Sequence, residues 1–312
     1  MSTKFDIYAE VTDRIIKQLE QGVIPWHKPW KSVCTPFIKA PVDLRKVAFN
    51  RITKTAYSCL NQMLLSRVGE YASFKQWTEL GGKIRKGAKS EMVVFWKWID
   101  IKVEEEDENG EKKIRIKKVP HLRYYQVFHI EDVENVAPLK LEEPKKPEPI
   151  PEPKSFDPVE EAEALITLYS EREQIKIGYG GDRAYYSPAA DRIQLPERFQ
   201  FGEKSGEFYS TAFHEIAHST GAKHRLDRLT NDRFGSAGYS KEELVAEISA
   251  AGMLHLLNLE SPATFKNSAA YIKSWIKALK NDTKMIVVAS GKAEKAVQYI
   301  LNGKETTEEG AA

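Results

Sequence analysis

Six prolines fall within EEPKKPEPIPEPKSFDP, residues 142–158. Proline fixes φ and has no amide hydrogen, so this stretch cannot continue a helix interior or a sheet ladder. Charged residues separate the prolines, which predicts an extended, semi-rigid spacer. The pattern of elements must restart beyond it. A chain of 312 residues is long enough for a domain on either side. The expected organisation is a first domain over 1–141, a linker over 142–156 and a second domain over 157–304. Residues 305–312 are expected to be a disordered tail.

The elements on either side differ in kind. Phe5, Tyr8, Ile15, Ile16 and Leu19 recur at helical spacing, so residues 4–21 are predicted as an amphipathic helix ending at Gly22. PWHKPW (25–30) reads as a turn, and 56–68 and 73–80 as helices. Residues 91–103 and 112–119 alternate around the turn signal Asn109–Gly110, which predicts a hairpin, with a further strand over 122–130. The first domain is therefore α+β. After the linker come a helix over 157–172, short strands over 175–179 and 192–196 with 183–188 between them, and helices over 206–220, 241–257, 266–280 and 291–302. The N-terminus is not a signal peptide, and no run reaches the roughly 18 apolar residues of a membrane span. The two cysteines, Cys34 and Cys59, lack CxxC spacing. They read as reduced thiols of a soluble, cytoplasmic protein with no membrane partner.

FHEIAHSTGAKH (213–224) contains HExxH and also fits HExxHxxGxxH. Residues four apart share a helix face, so His214 and His218 can hold one ion together. Glu215 lies about 100° round the helix axis, within reach of a water on that ion, and is the candidate general base. Gly221 is the candidate C′ residue closing the helix. The third ligand has three candidates. The longer motif nominates His224, although its neighbours Lys223, Arg225 and Arg228 fit a solvated basic loop equally well. SKEELVAEISAAGMLHLL (240–257) is apolar on nearly every side from 244 onward, which predicts a buried helix. Glu243 and Glu247 lie one turn apart on it, and buried carboxylates need a strong partner. Ser240-x-x-Glu243 also spells a capping box, in which case Glu247 becomes the ligand. The spacing resembles the ExxxD of gluzincins, where the first carboxylate binds metal and the second steadies a ligand histidine. That resemblance makes Glu243 the ligand and Glu247 its outer neighbour. The cofactor is then zinc, or another divalent ion such as manganese. Tyr185, Tyr186 and Tyr209 are weaker candidates to stabilise an oxyanion. The strand 192–196 is a candidate edge for an extended peptide substrate.

The whole chain carries a formal net charge of only +2, but residues 1–99 hold 17 Lys+Arg against 8 Asp+Glu. A local excess of this kind suits a polyanion. KIRKGAK (83–89) groups Lys83, Arg85, Lys86 and Lys89 among Phe74, Trp77, Phe95, Trp96 and Trp98. Cations that track a backbone and rings that stack on bases are what binding of single-stranded nucleic acid needs. Trp26, Trp30, Tyr57, Tyr124 and Tyr125 are further candidate platforms. Any one of these tryptophans also fits a core position.

Several stretches together resemble the ArdC-type antirestriction proteins, which are related to the N-terminal part of TraC-type plasmid primases. In the first domain they are GVIPWHKPW (22–30), FNRITKTAYSCLN (49–61), QWTELGGKIRKGAKS (76–90) and YYQVFHI (124–130). In the second they are YYSPAADRIQLP (185–196), FHEIAHSTGAKHRLDR (213–228), EELVAE (242–247) and YIKSWIKALKND (271–282). The resemblance implies an N-terminal single-stranded-DNA-binding domain and a C-terminal zincin-like, gluzincin-type metallopeptidase domain. It implies a role in protecting incoming mobile DNA from restriction, with single-stranded DNA and an unidentified protein or peptide substrate as partners. His224 falls where members vary, whereas EELVAE matches well and favours a glutamate ligand. The rival expectation is a DNA-binding shield whose zincin domain is catalytically silent.

Overall fold

Alternation in 91–106 and 112–129 resolves into one long antiparallel ladder in a computed structural model of the chain. The structure describes residues 5–27, 44–106, 112–141, 158–201, 205–230, 237–257, 259 and 262–303. Residues 142–157 of the proline-rich stretch, Asn109–Gly110, Trp30, Cys34 and the expected tail lie outside the described residues.

In the first half, α1 (Ile7–Glu20) buries Val11, Ile15, Ile16 and Leu19 on one face, and Asp6 caps it by accepting from the Tyr8 and Ala9 amides. β4 (Glu91–Glu106) pairs with β5 (Lys112–His129) from Glu91↔Val127 to Glu106↔Lys112. The strands predicted separately over 112–119 and 122–130 are thus one. Pro120 is tolerated within it because β4 is the only described neighbour of β5 there. β2 (Gly69–Ala72) meets β5 only at His129 and Phe128, and β1 (Ala48–Asn50) runs parallel to β2. The helix predicted over 56–68 is shorter, α2 (Cys59–Leu64). Its buried Asn61 bonds both the N–H and the C=O of Val94, and Gln62 does the same for Ala48. These amides satisfy buried strand groups, although the Ala48 carbonyl also accepts from the Tyr57 amide. α3 (Phe74–Glu79) opens on a Ser73/Gln76 capping box. β3 (Lys83–Ile84) and β6 (Val133–Glu134) form a separate two-stranded ladder.

The second half runs α4 (Pro158–Glu173), β7 (Lys176–Tyr179), β8 (Tyr185–Ser187), β9 (Arg192–Leu195), α5 (Ser205–Thr220), α6 (Ala237–Leu256), α7 (Pro262–Asn281) and α8 (Met285–Asn302). The strand order is β7-β9-β8. β9 is therefore the central strand and has no free edge for a peptide, a correction to the expectation for 192–196. α8 starts at Met285, well before the predicted 291. Its β-branched opening is a poor intrinsic helix former, but Met285, Ile286 and Val287 are buried, and packing overrides propensity.

One hydrophobic cluster joins the halves. Val11, Ile15 and Leu19 of α1 and Leu60 and Met63 of α2 pack with Leu244 and Ile248 of α6, Trp275 of α7 and Ile286 of α8. A second cluster gathers α4, β9 and α5 with Ala250, Met253 and Leu254 of α6 and Val297 and Ile300 of α8. From Leu244 onward α6 is largely apolar because it packs against both cores, Glu247 apart. Polar ties also cross between the halves, from Thr12 Oγ1 to the Thr283 carbonyl (2.7 Å) and from the Cys59 amide to Glu294 (2.7 Å).

Candidate metal centre and nucleic-acid surface

α5 places His214 and His218 one turn apart on a single face, with Nε2 atoms 3.1 Å from each other. α6 lies against α5 and brings Glu243 to both, 3.5 Å from His214 Nε2 and 3.4 Å from His218 Nε2. One donor atom from each of His214, His218 and Glu243 falls within 4.8 Å of the others. The outer imidazole nitrogens are also occupied. Glu247 lies 3.7 Å from His214 Nδ1, and Glu242 lies 3.4 Å from His218 Nδ1. A carboxylate behind each ring turns Nε2 inward, which is how metal-binding histidines are commonly oriented. Two imidazoles and a carboxylate arranged in this way fit a divalent metal.

The electrostatics favour a cation at this point. Burial alone would lower the His218 pKa, but hydrogen bonds to Glu242 and Glu243, with the charges of Glu243 and Glu215, raise it to about 10. Burial alone would raise the Glu243 pKa, yet hydrogen bonds and charge from the two histidines hold its carboxyl well below the usual range. Glu242 is likewise held low, its burial outweighed by His218 and Arg228. Glu215 is 8% exposed and contributes negative charge toward His218.

The alternatives for the third ligand fall elsewhere. His224 is exposed and pairs with Asp191 at 3.3 Å, outside the cluster. The capping-box reading of Glu243 does not apply, because α6 begins at Ala237 and Ser240 lies inside it. The basic loop after α5 is not simply solvated. Arg225 is buried and bonds Asp191 through both terminal nitrogens, at 2.8 and 2.9 Å, and Glu173 at 3.1 Å. Arg228 grips Glu242 (2.9–3.2 Å), bonds Thr220 Oγ1 at 2.7 Å and donates to the Ala217 carbonyl. Gly221 serves this loop by its size. Its φ is not in the left-handed region of a C′ glycine, and a Cβ there would stand 2.8 Å from Leu229 Cγ and 3.1 Å from Arg228 Cγ. Sequence reasoning missed Glu242 and Arg228. The only signal was the doubled glutamate, whose two residues point to different nitrogens of His218.

The three tyrosines are mostly committed elsewhere. Tyr209 is buried and bonds Glu163 at 2.7 Å, and Tyr186 bonds Asp191 at 2.8 Å, whereas Tyr185 is exposed.

The cationic turn is laid open. Lys83, Arg85, Lys86 and Lys89 are all exposed, and none forms an ion pair with a described residue. The tryptophans assigned beside them need correction. Trp77 is fully buried, and its Nε1 donates to the Phe128 carbonyl at 2.9 Å. Trp26 is 1% exposed and packs edge-on against Trp275, ring centroids 5.1 Å apart. Neither ring can stack on a base, because each is already enclosed by the core. The exposed rings lie on β4 and β5. Trp98 is 64% exposed, with Trp96, Phe95 and Tyr124 also open to solvent. Lys97, Lys102, Lys117, Lys118 and Arg123 share this hairpin and are exposed. Cross-strand pairing puts Trp96 and Trp98 on one face with Tyr124, and Phe95 and Lys97 on the other with Arg123. Among the described residues no helix is long and apolar enough to cross a membrane.

Comparison with known proteins follows the same division. Residues 5–128 match the N-terminal domain of the anti-restriction factor ArdC, and residues 160–292 match the zincin-like metallopeptidases. The uncharacterized protein y4eC of Sinorhizobium fredii is 32% identical over 310 residues, covering 96% of this chain and 92% of that protein. DNA primase TraC of Escherichia coli is 32% identical over 317 residues, but this chain spans only 20% of that primase's length. The metal-free crystal structure of ArdC from plasmid R388 superposes with a TM-score of 0.66 at 31% identity, covering 96% of this chain and 98% of that one. The Mn(II)-bound structure gives 0.68 at 28%, covering 97% and 100%.

Proposed function

The chain belongs to the ArdC antirestriction family, and we propose that it is a cytoplasmic antirestriction protein of a mobile element. In this reading residues 1–141 bind single-stranded DNA and residues 157–304 form a zinc-dependent peptidase, joined by the linker over 142–156. The observation that carries the enzymatic part is the convergence of His214, His218 and Glu243 within 4.8 Å, with Glu215 one residue along from His214.

Zinc held there, or manganese as in the R388 protein, supplies a Lewis acid that polarises a peptide carbonyl and acidifies water. Glu215 takes the proton of the attacking water and returns it to the departing amide nitrogen. Glu242 accepts from the Nδ1–H of His218, and Glu247 stands 3.7 Å from His214 Nδ1, so a carboxylate behind each ring favours an inward-facing Nε2 lone pair. Arg228 keeps Glu242 in place and neutralises it. Lys83, Arg85, Lys86 and Lys89 track the phosphates of the strand, and Trp96 and Trp98 supply the stacking surfaces that Trp77 and Trp26 do not.

Glu215→Ala tests the mechanism. Turnover of a protein or peptide substrate should fall about 10²–10⁴-fold, the usual worth of a general base, while metal content and DNA affinity stay unchanged. Activity that survives this substitution would remove Glu215 from its role. An intact protein that binds metal and cleaves nothing would favour the silent-zincin shield. Zinc should be lost in Glu243→Gln and kept in His224→Ala. Neutralising the four cations of 83–89 should weaken single-strand binding and flatten its salt dependence, by about 0.7 in the log–log slope for each phosphate no longer neutralised.

A further inference from the structure

A cavity of about 420 Å³ lies where the first half meets α8, and it shares no lining residue with the metal centre. Pockets of this size suit small organic groups. FNRITKTAYSCLN (49–61), a stretch with no part in the metal centre, supplies one wall through Tyr57 and Ser58. Trp96 and Tyr125 of the hairpin supply a second, and Gly291 and Glu294 of α8 a third.

Three observations indicate a ligand. Two hydroxyl groups of the cavity are short of partners. Tyr57 is 7% exposed, and its Oη lies near Asn50 and Tyr125 without a well-formed hydrogen bond to either. Ser58 is the N-cap of α2 but makes no side-chain capping bond. Second, Glu294 is half-buried and accepts a single hydrogen bond, from the Cys59 amide at 2.7 Å, and no described cation pairs with it. A carboxylate accepts at both oxygens, so it retains unused acceptor capacity. Third, Gly291 stands in the middle of α8, where glycine destabilises a helix relative to alanine. A Cβ at this position would meet nothing within 4 Å, so packing does not require the glycine. It leaves the α8 side of the cavity open.

We propose that this cavity is a nucleobase subsite that takes one base of a single strand and prefers guanine, whose N1–H and N2–H donate to Glu294. The proposal rests on the reading that the chain binds single-stranded DNA. Unpaired bases are recognised by stacking on aromatic rings and by hydrogen bonds at their Watson–Crick edges. Trp96 and Tyr125 lie on opposite faces of the hairpin at the cavity's rim, and the base stacks on one of them. Guanine alone presents two adjacent donors on that edge, matching the two carboxylate oxygens, and its O6 can accept from the Ser58 or Tyr57 hydroxyl. Adenine, cytosine and thymine each set an acceptor beside their donor and would turn a lone pair toward the carboxylate.

The test compares an all-thymine oligonucleotide with the same strand carrying one central guanine, using anisotropy on the full chain. The wild-type protein should bind the guanine strand about tenfold more tightly, the worth of one good bidentate base contact. Gly291→Leu adds bulk at the α8 wall of the cavity from a position where a Cβ meets nothing within 4 Å. It should abolish the preference while leaving the all-thymine affinity in place, and the melting temperature should not fall, because a mid-helix glycine is replaced by a better helix former. Glu294→Gln, which offers one acceptor and one donor, should also reduce the preference. Equal binding of the two strands by wild type, or a preference that survives Gly291→Leu, overturns the subsite and leaves single-strand binding intact. Binding of neither strand overturns the DNA reading itself. Free dGMP competing as effectively as the strand would make the occupant a mononucleotide and overturn the placement of the subsite on the strand's path.

Discussion

The metal centre and the β4/β5 hairpin use ionisable and aromatic side chains in opposite ways. At the metal centre the histidines and their carboxylates lean on one another: His214 on Glu243 and Glu247, His218 on Glu242 and Glu243, and Glu242 on Arg228. Along the hairpin and the 83–89 turn, cations and rings face solvent. The first arrangement fixes a geometry that a small ion completes. The second leaves charge and ring surface available to a long polyanion, which can bind at several points without a fixed register.

The sharpest way to break this comparison is a pair of tryptophans. Trp77→Ala should cost about 3–5 kcal/mol of folding stability, as large-to-small changes in cores do, measured by denaturant unfolding. Trp98→Ala should leave stability unchanged and cost roughly 1–3 kcal/mol of single-strand affinity. The distinction collapses if Trp98→Ala binds DNA normally while a folded Trp77→Ala protein does not. A smaller effect is expected at Glu242→Gln. Metal affinity should drop about 10–100-fold, read by competition with a chelating dye, because His218 loses its orienting carboxylate. DNA affinity should not move, and a DNA defect there would show that the two regions are coupled.

A pH-dependent effect concerns Glu294, which lies in neither region. Burial raises its carboxyl from an ordinary 4.5 to about 7, against a lowering contribution from the Cys59 amide. The folded chain therefore holds this proton more tightly than the unfolded chain does, and folding loses stability as pH rises from about 4.5 through 7. Glu294→Gln removes that loss. It should stabilise the protein on the order of 3 kcal/mol at pH 8 and hardly at all at pH 4.5. Equal stabilisation at both pH values would mean that the carboxyl titrates normally.

What could be read from the sequence followed its range along the chain. His214, Glu215 and His218 are set by one helical turn, and Glu243 and Glu247 by another, so local periodicity reached them. The meeting of α5 with α6 was reached only because two carboxylates on an apolar helix demanded a partner. Where the answer depended on distant packing, local pattern gave none. Trp77 and Trp98 both stand near cations in sequence, and only the tertiary fold decides which one the core encloses. Arg225 and Arg228 looked like loop charges until their carboxylates arrived from α4, α6 and the loop before β9. The strands expected separately over 112–119 and 122–130 are one, and Pro120 within it has β4 as its only described neighbour.

The helices α6 and α8 each face both hydrophobic clusters, and this bears on inheritance. A recombination event that moved only one half into another gene would deliver a protein with an uncovered apolar wall. Such a fragment would be prone to aggregation before selection could act on any activity it kept. The two halves are therefore expected to be transmitted together, whatever else is fused to them. The TraC primases carry a counterpart of 96% of this chain within a much longer one, the arrangement that transfer of the whole block would leave.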